Sequence, residues 1–83
     1  MRRGDDVTQK AVVLARMRRA VRSGEARELR VTSGLSLREV AEDIGTHLAT
    51  IHRWEQGICL PRGPHAVRYA RLLDELTKVI RDR

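Results

Sequence analysis

The chain has 83 residues, a net charge of +6 and 41% hydrophobic residues, with one tryptophan, one tyrosine and no phenylalanine. That length makes one small unit, near the lower limit for a core built without staples, and the core has to be aliphatic. The single cysteine, Cys59, excludes an internal disulfide, and with no signal segment or long apolar run a cytoplasmic protein with no membrane partner is expected.

The charge is unevenly placed. Residues 1–23 hold seven basic groups against two acidic ones, whereas residues 24–83 hold ten against nine. Attraction toward a polyanion is therefore concentrated in a basic N-terminal extension, with a nearly neutral body behind it.

Val7 to Val21 contains neither glycine nor proline and is rich in Ala, Val, Leu, Met and Arg, which predicts a helix from about residue 7 that ends at Ser23 and Gly24. Val7, Ala11, Leu14, Met17 or Arg18, and Val21 trace one stripe, so one face is expected to pack on the body. Lys10, Arg16, Arg19 and Arg22 cannot all share that stripe. They are either a solvated basic face or a set of contacts to a polyanionic partner, with residues 1–6 as a possible arm.

Ser36 and Glu39 have the spacing of a capping box, in which each side chain bonds the other residue's amide. Leu37, Val40, Ala41 and Ile44 then follow at i, i+3, i+4 and i+7, one buried helical face, and Gly45 supplies the left-handed residue that ends a helix. A second helix begins after only Thr46 and His47, too short a link for an antiparallel hairpin, so the two helices have to cross steeply. Ala41 is small enough to permit the close approach. Ile51 and Trp54 face inward and Gly57 closes the second helix, leaving Leu48, Ala49, Thr50, His52 and Arg53 wholly or partly outward. No acid occurs on that face before Glu55.

After a loop bracketed by Pro61 and Pro64, a last helix is expected from about His65 to Arg81. Ala66, Tyr69, Ala70 and Leu73 can face the core, while Leu72, Leu76, Val79 and Ile80 widen its apolar surface. Either the N-terminal helix covers that excess or a second copy does, giving a homodimer. The expected core comprises Leu29, Leu35, Val40, Ile44, Ile51, Trp54, Val67 and Leu73.

From Ala26 to Leu76, the strings ARELR, GLSLREVAEDIG and TIHRWEQG, Pro61 and the closing apolar helix resemble the helix-turn-helix family of phage repressor and Cro proteins, the Xre family. The resemblance implies an all-α fold, a compact five-helix domain of the phage repressor type with an extra N-terminal helix. It would form one domain over residues 1–83, with 1–23 as the extension and 24–83 as the helix-turn-helix body. It also implies a non-enzymatic, sequence-specific regulator of transcription that binds double-stranded DNA. A Cro-like or immunity-type repressor blocking polymerase at an operator fits best; an antitoxin or an excisionase-like architectural protein is the alternative. A chain this short leaves no room for a ligand-sensing domain, so control would come from concentration, partners or operator choice.

By the same resemblance, base-reading positions fall on Leu48, Ala49, His52 and Arg53, with His47 and Thr50 beside them. Relatives often carry glutamine at the first two, whereas Leu48 and Ala49 suit thymine methyls; Arg53 suits a bidentate contact to guanine. His47 stands where a capping Ser or Thr is usual, which weakens that cap. Ser36, Arg38, Thr46, Gln56 and Arg62, with Arg16, Arg19 and Arg22 of the extension, are candidates for backbone contacts. Arg30 and Glu55 occupy the places of a structural ion pair that orients the second helix. His47 and His52 lie about 140° apart round a helix. No zinc-ligand spacing, nucleophile with a paired base, or phosphate loop is present, so no metal, cofactor or catalysis is expected.

Overall fold

Glycines and short polar runs divide the chain into five helices, described in a computed structural model for the backbone of residues 2–82 and the side chains of residues 9–82. In chain order they are α1 (Arg2–Ser23), α2 (Glu25–Thr32), α3 (Leu37–Ile44), α4 (Leu48–Glu55) and α5 (Gly63–Arg81), and no strand occurs among the described residues. The architecture is all-α, with α1 as the extra N-terminal helix. No helix is long and apolar enough to cross a membrane.

The extension is helical from Arg2 rather than from about residue 7, and it stops where expected, because Gly24 adopts a left-handed conformation (φ 85°) that lets α2 set off in a new direction. Its buried face differs from the expected stripe. Met17, Ala20 and Val21 are buried with Val13 and Leu14 partly so, while Ala11 and Arg18 are exposed. The i, i+3, i+4 pattern can be drawn through this segment in two phases, and packing selects the one that buries Met17. Val7, assigned to the stripe, and the segment 1–6, assigned as an arm, lie outside the residues whose side chains are described.

One cluster joins all five helices. Met17, Ala20 and Val21 meet Ala26, Val40, Ala41, Ile44, Ile51 and Trp54, and α5 closes it with Ala66, Tyr69, Ala70, Leu73 and Leu76. Trp54 and Tyr69 stack at 4.8 Å between centroids with rings tilted by 45°, a geometry favoured by the aromatic quadrupole. Three expected core members, Leu29, Leu35 and Val67, are only half-buried, at the margins of the cluster.

α5 starts at Gly63, two residues before the expected His65, because Pro64 fits the first turn, where an amide has no helical partner anyway. Its excess apolar surface is covered within the chain only in part. Lys10 and Leu14 lie beside Pro61–Val67, Arg16 bonds Asp74 at 3.1 Å, and Arg19 lies near Lys78 and Arg81, so α1 runs alongside α5 in the same direction. This corrects the dimer surface drawn from sequence. Leu76 is buried in the core and Leu72 packs against its edge, Ile80 is half-buried, and of the four only Val79 is exposed.

Tyr69 is buried, and its hydroxyl has no hydrogen-bond partner among the described residues. Burial pushes its pKa well above the ordinary 10.0, with the Glu55 charge adding to the rise and Arg30 opposing it. The folded protein therefore keeps this proton while the unfolded chain loses it, so stability falls as pH rises above about 10. Tyr69→Phe should change stability by less than about 1 kcal/mol at pH 7, since no hydrogen bond is lost. The variant should also outlast the parent at pH 11, as paired thermal melts at the two pH values would show.

Candidate nucleic-acid interface

The α3–α4 unit is assembled from local devices. The Ser36 amide donates to Glu39 Oε1 at 2.9 Å and the Glu39 amide donates to Ser36 Oγ at 3.0 Å, the reciprocal box that starts α3. Gly45, at φ 88°, ends it, and the amides of Gly45 and Thr46 both donate to the Ala41 carbonyl, at 2.8 and 3.0 Å. A third device comes from α5: Arg68 Nη1 donates to the Ile44 carbonyl at 3.2 Å. Any side chain at Gly45 would be strained, and its Cβ would stand 3.4 Å from Arg68 Nη1.

α4 begins at His47, which is extended (φ −90°, ψ 148°) and makes no side-chain cap. The Thr50 amide donates to the His47 carbonyl at 2.9 Å, which leaves the amides of Leu48 and Ala49 open to an outside acceptor. Ile51, Trp54 and Glu55 turn inward, while His47, Leu48, Ala49, His52 and Arg53 are exposed and Thr50 is half-buried. Leu48 is 44% exposed.

Arg30 and Glu55 are joined end to end. Arg30 Nε and Nη2 donate to the two Glu55 oxygens at 2.6 and 3.0 Å, and Nη1 donates to the Leu35 carbonyl at 2.9 Å. The Glu55 side chain is 1% exposed and that of Arg30 13%. The bond to Glu55 raises the guanidinium pKa further, outweighing the opposing effect of burial. Glu55 is the sole carboxylate between Ile44 and Asp74. With its charge directed inward, α4, the following loop and the first half of α5 present no exposed acid.

The candidate backbone contacts are dispersed. Ser36 caps α3, Arg38 is exposed in its first turn, Thr46 is half-buried in the turn, Gln56 caps the end of α4 and Arg62 precedes α5. Arg16, Arg19 and Arg22 are exposed on α1. Arg16 is bonded to Asp74, and Arg19 lies beside the second half of α5, so these two belong to the α1–α5 seam. The sequence reading overlooked Arg68, whose only signal was a cation opposite the end of α3. Among the described residues no group of three His, Cys, Asp or Glu side chains is placed to hold a metal ion, and Cys59 is exposed.

An all-helical fold that displays, after a glycine turn, a short helix with no exposed acid defines a helix-turn-helix module. A family model described as a helix-turn-helix domain matches residues 23–79, and the chain belongs to that family, which implies DNA binding. No curated protein and no solved structure matches it.

Removing one partner of a buried ion pair strands the other charge, at a cost of about 3–5 kcal/mol. Arg30→Ala should destabilise the protein on that scale in urea unfolding. Arg30→Lys should recover only part of the loss, because an ammonium cannot reproduce the three-bond fork.

Proposed function

We propose that the protein is a sequence-specific, double-stranded DNA-binding regulator of transcription of the phage repressor and Cro (Xre) type, acting by operator occupancy. The observation that carries this reading is the exposed face of α4: apolar and basic, free of carboxylates, and held by Arg30–Glu55 and the Trp54–Tyr69 stack on a rigid core. Charge also supports one orientation. α3 exposes Glu39, Glu42 and Asp43, so the phosphate-facing side has to be the α4 side.

In the major groove, Leu48 and Ala49 would lie against thymine methyls, and Arg53 would reach a guanine edge with two hydrogen bonds. His47, Thr50 and His52 would contribute at the margin of that face. Ser36, whose hydroxyl accepts from Glu39 but still has its own proton to donate, and the exposed Arg38, Gln56 and Arg62 would bond phosphates, with Thr46 beside them. With Leu76 buried in the core, the apolar surface of α5 left for symmetric pairing is reduced to Leu72, Val79 and Ile80.

Selection of bound sequences from random duplexes tests the proposal. The expected result is one enriched site with A·T pairs opposite Leu48 and Ala49 and a G·C pair opposite Arg53; recovery of no preferred sequence would contradict it. Arg53→Ala should relax preference at one base pair by about 1–3 kcal/mol while leaving the melting temperature unchanged.

A further inference from the structure

A groove of about 730 Å³ runs between α1 and the start of α5, and five of its lining residues are cations: Lys10, Arg18, Arg62, Arg68 and Arg71. Among the described residues no carboxylate lines it. We propose that this groove is a second DNA-binding surface, one that grips the phosphate backbone of the duplex read by α4. The inference rests on the proposed entry of α4 into the major groove and adds a site one wall of which, Lys10, Leu14 and Arg18, lies outside the matched family residues 23–79.

The two walls are made by register. Lys10, Leu14 and Arg18 follow one another at i, i+4 and i+8 and share one face of α1, with half-buried Leu14 seated on the core between two exposed cations. Arg68 and Arg71 lie one turn apart on α5, and Arg62 stands just before it. Like charges collected along one channel repel one another unless an anion lies between them. The other half of the α1–α5 seam is arranged differently: Arg16 pairs with Asp74, and Lys78 with Glu75. At that end the carboxylates of Glu25 and Asp74 stand among the cations, whereas at the other the described cations face only one another.

Position then selects the ligand. Arg68 bonds the Ile44 carbonyl, immediately before the turn that leads into α4, and Arg62 ends the loop that leaves α4. Two of the groove's cations thus stand beside the chain segments that enter and leave α4. A duplex engaged there presents one charge per 1.7 Å or so of its axis, a row of anions matching an elongated row of cations. An isolated phosphate would need far fewer.

The test uses the full-length protein carrying Lys10→Gln, Arg18→Gln and Arg71→Gln, three exposed positions that leave the Arg68 bond intact. Affinity would be measured against salt for the selected duplex and for a random one. Loss of three phosphate contacts should lower affinity for both duplexes by the same factor, on the order of 100-fold at about 0.1 M salt, and make the log–log salt slope shallower by up to about 2.7. Base preference should be unaltered. Wild-type affinity and slope in the triple variant would overturn the groove proposal. If Arg53→Ala still lost its preference in that case, the reading of α4 would stand alone. A loss confined to the selected duplex would also overturn it, since phosphate contacts are indifferent to sequence. Wild-type protein that bound neither duplex would overturn both proposals. If the triple variant melts early, the charge-keeping protein with Lys10→Arg, Arg18→Lys and Arg71→Lys decides: retained affinity supports phosphate binding, and lost affinity refutes it.

Discussion

The presentation of α4 depends on the buried pair between Arg30 and Glu55. The guanidinium makes three bonds, two to the carboxylate at the end of α4 and one to the Leu35 carbonyl ahead of α3, so a single side chain of α2 ties down the elements on both sides of the turn. Burying two charges is costly, and a pair of this kind adds little net stability compared with well-packed apolar residues. Its contribution is geometric and electrostatic. It fixes the end of α4 relative to α2, and it withdraws the only carboxylate of that helix from the surface that would face phosphate.

Beside that pair, Trp54 and Tyr69 carry the constraint from α4 to α5. α5 in turn reaches the start of the unit through Arg68, which satisfies the last carbonyl of α3. α4 is thus held at its end by α2, along its inner face by α5, and at its entry by a turn that α5 braces. Such bracing allows a helix of eight residues, too short to be stable alone, to present side chains in a fixed arrangement.

α1 has two jobs on two faces. Met17, Ala20 and Val21 join the common core, Met17 and Ala20 beside Ala70 and Leu73 of α5. The remaining face carries the arginines. Sequence separated them from the apolar stripe but did not divide them by destination. Arg16 goes to Asp74, and Arg18 goes to the acid-free channel with Arg71, although only two positions separate Arg16 from Arg18. Two residues on a helix are about 200° apart, so neighbours in the chain face different neighbours in space.

Local signals made much of the α3–α4 unit legible in the chain: Ser36 and Glu39 at capping-box spacing, the i, i+3, i+4, i+7 apolar positions, and glycine where only a left-handed residue ends a helix tightly. Each depends on atoms within a few residues of one another, so the sequence by itself determined that two short helices form here and which face of each is inward. The resemblance added the Arg30–Glu55 pair, which no local rule relates across 25 positions. What only the tertiary structure decided was choice among equivalents: which phase of the α1 stripe is buried, whether Leu76 serves a core or a partner, and which arginines are paired and which face one another across a groove. Those outcomes depend on contacts between residues distant in the chain, where periodicity limits the options and packing selects one.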